Sequence, residues 1–95
     1  MNLTTGNLDQ ELANLFDQAG DAHEKAHAQT SGVDPDWPIW YADYLLERLK
    51  DLLHANFTRS ELVYLLVLVD KEQRLRAPGA NWATFYARFF AERYT

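Results

Sequence analysis

Three short breaks in a helical hydrophobic rhythm constrain this chain more than any other feature. They fall at residues 30–35 (Thr-Ser-Gly-Val-Asp-Pro), 54–57 (His-Ala-Asn-Phe) and 77–80 (Ala-Pro-Gly-Ala). Each combines helix breakers or turn formers. Between them, apolar residues recur at steps of three and four, the period of one buried helical face. Leu8, Leu12, Leu15, Ala19, Ala22 and Ala26 form the first such stripe. Trp37, Trp40, Tyr41, Tyr44, Leu45, Leu49, Leu52 and Leu53 form the second. Trp82, Phe85, Tyr86, Phe89, Phe90 and Tyr94 form the last. Residues 62–69 are apolar on every side, a pattern that alone also fits a buried strand. Thr58-Arg59-Ser60-Glu61 before them is a capping box, and the charged run 70–76 continues the helical reading.

The prediction is therefore an all-α chain with helices over about 7–29, 36–56, 58–76 and 81–94. Short connections make successive helices antiparallel neighbours. With 95 residues there is room for one hydrophobic core. The expectation is a single compact antiparallel four-helix domain over 1–95, its third helix the most buried. Asn7 is read as the first N-cap, and Pro38 suits the first turn of the second helix. Gly20 is a weak point within the first.

Composition narrows the function classes. There is no cysteine, so disulfides, thiolate-bound zinc and thiol catalysis are out. The net charge of −5 disfavours nucleic acid and anionic membranes as partners. That charge is divided. Residues 1–47 carry nine acids against Lys25 alone, whereas residues 48–95 are net +3. The longest apolar run, 62–69, falls far short of the ~20 residues of a membrane helix. Residues 1–7 offer neither the basic nor the apolar region of a signal peptide. A soluble, cytoplasmic protein is the expectation.

His23-Glu24-Lys25-Ala26-His27 fits H-E-x-x-H, which on a helix turns two imidazoles to one side. A catalytic zinc needs a third protein ligand. His54 is at the wrong end of the second helix, roughly 20 Å away at ~1.5 Å per residue. With no substrate-binding strand either, a zinc hydrolase is the least favoured reading, and no catalytic residue is assigned. A binding-only site is the milder version. His23, His27 and Asp36 are its candidate ligands for a divalent transition metal, with Asp34, Asp43, Asp70 and Glu72 able to approach. The structural alternative has both histidines packed on Trp37 or Trp40 and hydrogen-bonded to Asp34 or Asp36. The 34–38 segment is not an EF-hand loop, because Trp37 and Pro38 interrupt the ligand pattern. Arg74 and Arg76 complement the end of the third helix, and Ser31 and Ser60 lack a nucleophile elbow.

The run Asp34-Pro35-Asp36-Trp37-Pro38-Ile39-Trp40-Tyr41-Ala42-Asp43-Tyr44-Leu45 is the most distinctive segment. With His23 and Gly32 before it, it resembles a family of small bacterial proteins. These carry a His-bearing helix, a Gly-containing loop and a D-x-D-W-P-x-W-Y-A run. The resemblance covers about residues 19–46 and brings no activity with it. It implies that Asp34, Asp36, Trp37, Trp40 and Tyr41 belong together with His23, and it does not extend to Glu24 and His27.

Three tryptophans, five tyrosines and five phenylalanines are many rings for a domain of this size. Some should line a pocket or an interface. The function expected is therefore a non-enzymatic interaction module, engaging a protein partner or a second copy. Its candidate binding residues are Asp34, Asp36, Trp37, Trp40, Tyr41 and Tyr44, or the aromatic stripe of the fourth helix. The alternative is a metal-binding helical protein centred on His23 and His27.

Overall fold

The computed structural model describes residues 5–30 and 33–94, with side chains from Leu8 onward. Ser31 and Gly32, two of the expected turn residues, lie outside the described residues. Four α-helices follow one another: α1 (Thr5–Ala26), α2 (Trp37–Leu53), α3 (Arg59–Arg76) and α4 (Trp82–Tyr94). No strand occurs among the described residues. The stretch at 62–69 is thus helical, as the capping box requires. Thr58 Oγ1 accepts the Glu61 N–H at 3.1 Å, and Glu61 Oε1 accepts the Thr58 N–H at 2.7 Å.

The boundaries differ from expectation for local reasons. Asn7 lies within α1 and is not its cap. That helix stops at Ala26, and a 3₁₀ turn at Ala28–Thr30 replaces its expected last turn. Thr30 Oγ1 sits 3.0 Å from the His27 carbonyl oxygen and 2.9 Å from that of Val33. A hydroxyl that competes for carbonyls in this way favours a turn over a continuing helix. Helix α2 ends at Leu53 because His54 adopts a left-handed conformation (φ 51°) and returns its N–H to the Lys50 carbonyl. Asn81 caps α4, its Oδ1 accepting the Thr84 N–H at 3.0 Å.

Each helix has two neighbours. α1 packs on α4 and α2, and α3 packs on α2 and α4, closing a ring around one core. The paths are antiparallel. Trp37 and Tyr41 at the start of α2 share a cavity with Leu66, Asp70 and Gln73 in the later half of α3. Leu12, Phe16, Leu45, Leu49, Leu62, Leu66, Val69 and Phe90 are the large side chains with essentially no exposure. Phe16 alone meets Trp82, Tyr86 and Phe90, at ring separations of 5.5–6.2 Å.

The third helix is not the most enclosed. It buries Leu62, Leu65, Leu66 and Val69, but Tyr64 is 62% exposed, Val67 47% and Leu75 74%. A helix in a ring of four can bury only the side facing its two neighbours, so an apolar segment longer than that side must show a face. Most residues of the expected interaction surfaces are half-buried. The α4 stripe and Trp37, Tyr41 and Tyr44 belong to the core or pack against it. No helix among the described residues is long and apolar enough to cross a membrane.

Candidate metal centre

His23 and His27 stand one turn apart in the last part of α1 and just beyond it. Their rings stack at 4.4 Å. His23 is buried, at 7% exposure. Tyr41 stacks on it at 4.9 Å, and Trp40 meets it edge-on at 5.0 Å. Trp40 also reaches the His27 ring, at 6.2 Å. That tryptophan is itself steadied along α2. Tyr44 stacks on Trp40 at 5.5 Å, and the Arg48 guanidinium lies 4.1 Å from the centre of the Tyr44 ring. Residues 40, 44 and 48 are successive i, i+4 neighbours, so one helical edge forms this ladder.

The loop from the 3₁₀ turn to α2 returns Asp34 to the imidazoles. Its Oδ2 is 3.1 Å from His23 Nε2 and 3.4 Å from His27 Nε2. Its Oδ1 accepts the Asp36 N–H at 3.1 Å, and its carbonyl accepts the Trp37 N–H at 3.1 Å. An aspartate bonded to the backbone two residues on fixes its own turn. That is why Asp34, and not Asp36, faces the histidines. Asp36 is exposed at the start of α2 and makes no side-chain cap bond. One ligand atom from each of His23, His27 and Asp34 lies within 4.8 Å of the other two.

The protons in this cluster are constrained. His27 Nδ1 is 3.1 Å from the His23 carbonyl oxygen. A carbonyl only accepts, so Nδ1 must donate. Nε2 of a neutral His27 then carries a lone pair, and it faces the Asp34 carboxylate. A neutral His27 needs a cation between these two groups at 3.4 Å, whereas a protonated one donates to Asp34 directly. Burial raises the Asp34 pKa, but its bonds to His23 and the Asp36 amide and the nearby imidazole charges outweigh this. The net result is a carboxyl held below its ordinary value of 3.8. Tyr41 is displaced upward, first by burial and then by the negative charges of Asp34 and Glu24, so its phenol stays protonated.

The other carboxylates divide between different roles. Asp43 turns to α3, where Arg59 grips both its oxygens. That bond lowers the Asp43 pKa, but both partners are largely solvent-exposed and the pair adds little stability. Glu72 pairs with Arg76 at 3.8 Å. Asp70 accepts from Arg74 at 3.0 Å and from the Tyr86 hydroxyl at 3.4 Å. Glu24 is exposed and lines a second open depression next to His23, with Asp17 and Asp21.

A cavity of about 350 Å³ opens beside the cluster. His23 and Asp34 line it, with Asp70 and Gln73 from α3. Rings of Phe16, Trp37, Tyr41, Trp82 and Tyr86 line it. Of these, Trp82 and Tyr86 belong to the α4 stripe that the sequence marks and Asp70 is among the carboxylates expected to approach, whereas Phe16 and the role of Gly20 are not marked by sequence. One signal was available: glycine inside a regular helix often marks close approach. A Cβ on Gly20 would stand 3.0 Å from the Trp82 indole and 3.9 Å from the Tyr41 hydroxyl. Glycine there lets α4 and α2 close on α1 next to His23. Compared with protein-family models, curated proteins and solved structures, the chain matches none.

Proposed function

We propose that this domain binds a divalent transition metal through His23 Nε2, His27 Nε2 and Asp34 Oδ2. The observation that carries the reading is the facing pair of acceptors. With His27 Nδ1 donating to a carbonyl, Nε2 and the Asp34 carboxylate face each other at 3.4 Å, a pair that a proton or a metal cation can bridge. A cation satisfies both. Ligands about 2.1 Å from a zinc or similar ion stand about 3.0–3.4 Å apart in octahedral or tetrahedral shells. The two contacts to Asp34, at 3.1 and 3.4 Å, have that spacing. An imidazole whose second nitrogen is anchored on a backbone carbonyl is the usual outer support of a metal-bound histidine.

Two neutral imidazoles and one carboxylate suit zinc, iron(II), manganese or nickel. Three protein ligands leave at least one position free. Asp34 also supplies the third ligand that the H-E-x-x-H pattern lacked. The helical setting offers no extended segment along which a peptide substrate would lie, so the reading is of metal binding and not of hydrolysis.

The test is calorimetric titration of zinc into protein carrying no affinity tag. One zinc per chain is expected. His23→Ala, His27→Ala and Asp34→Asn should each weaken it by at least about tenfold, the scale of removing even an outer support. His54→Ala, which alters the third histidine, should leave zinc binding unchanged. Equal zinc binding by the triad variants, or none by the wild type, overturns the proposal. In that case the cluster is a proton-mediated structural pair.

A further inference from the structure

The cavity next to the cluster has a chemistry of its own. Five aromatic side chains line it, and the only formal charges in its wall besides the imidazole of His23 are the carboxylates of Asp34 and Asp70. No lysine or arginine lines it. The nearest base on α3, Arg74, reaches Asp70 through Oδ2 from a largely solvent-exposed position. Oδ1 is left with the long 3.4 Å contact from the Tyr86 hydroxyl. At about 350 Å³ the space equals roughly ten waters, or a molecule of about ten heavy atoms. Aromatic rings beside a carboxylate select positive charge on an apolar body. An anion would meet two carboxylates and no lysine or arginine in the lining, and a neutral molecule would leave Asp70 Oδ1 with only the long Tyr86 contact.

We infer that this cavity binds a small organic ammonium ion, its charged nitrogen on Asp70 and its apolar part among Phe16, Trp37, Tyr41, Trp82 and Tyr86. The groups facing that nitrogen are Asp70, Tyr86 and Gln73 from one side and Asp34, His23 and Tyr41 from the other. The site does not depend on the metal, since Asp70 is not among the three converging ligands. A dication at Asp34 would place positive charge in the wall of the same cavity. Metal loading should therefore weaken ammonium binding.

The probe is 2-phenylethylammonium, with 2-phenylethanol and phenylacetate as neutral and anionic partners of the same shape. Each is titrated into chelator-treated protein and followed by calorimetry and tryptophan fluorescence. The ammonium should bind about tenfold tighter than the alcohol, and phenylacetate weaker than both. Asp70→Asn should reduce the preference to about threefold or less while leaving the affinity for the alcohol in place. Arg74→Ala, which releases Asp70 from an exposed competitor, should strengthen ammonium binding. That opposite sign separates the charge effect from any loss of folding. The inference is overturned if the alcohol binds as tightly as the ammonium, if none of the three binds, or if the preference survives Asp70→Asn. Loss of zinc binding in His27→Ala, whose side chain does not line the cavity, with the ammonium preference retained would show the two sites to be separate.

Discussion

Asp34 is the residue on which both nitrogens and both loop bonds converge. Its carboxyl is held below 3.8, so the charged form is favoured by folding. The stabilisation is present above the unfolded value and is lost as pH falls through the lower folded one. Chemical denaturation at a series of pH values should therefore show wild type more stable than Asp34→Asn near neutrality, with the gap closing below about pH 4. A constant gap would mean that charge is not what Asp34 contributes. At this scale the sequence was partly legible. His23, His27 and the carboxylate-rich loop were marked by helical spacing and by the turn. Which carboxylate turned inward was not, because that depends on backbone bonds. Asp34 reaches the histidines through its own Asp36 amide contact and the 3₁₀ turn before it. Neither has a periodicity to reveal it. The indole of Trp82 is another case, since it reaches the site only across a helix interface at Gly20.

The helices were read most directly where their ends are written in side-chain chemistry. Thr58 and Glu61 bond reciprocally as their spacing demands, and Asn81 caps α4. Thr58→Ala removes one of these bonds and should cost about 1 kcal/mol in thermal or denaturant unfolding. An unchanged midpoint would show the box to be dispensable. Helix ends set by backbone conformation were harder to read. His54 ends α2 in the left-handed region, where glycine is the residue without penalty. His54→Gly should raise stability by up to about 1 kcal/mol, and a loss would mean that its side chain holds the turn. The same limit applied to α1, whose last expected turn became 3₁₀ through Thr30.

At the scale of the whole molecule, the ring of four helices explains two departures from the sequence reading. An apolar face of α3 remains outside because two neighbours cover only one side. The aromatic residues are largely buried or half-buried, in the core and around the His23 cavity, and among the described residues the exposed large hydrophobics are Val33, Ile39, Tyr64, Val67 and Leu75. The uneven charge also gains a place. The acidic first half supplies Asp34 to the histidines, while three bases of the second half, Arg59, Arg74 and Arg76, pair from α3 with Asp43 of α2 and with Asp70 and Glu72. The cluster ties α1 to the loop before α2, so a ligand there couples to global stability. Zinc at 100 times its dissociation constant should add about 2.7 kcal/mol against unfolding. The most direct test is zinc-edge X-ray absorption on the one-to-one complex. Two imidazoles and one carboxylate oxygen at about 2.0–2.1 Å are predicted, one imidazole being lost in His27→Ala. A shell with no imidazole, or one unchanged in that variant, would contradict the assignment.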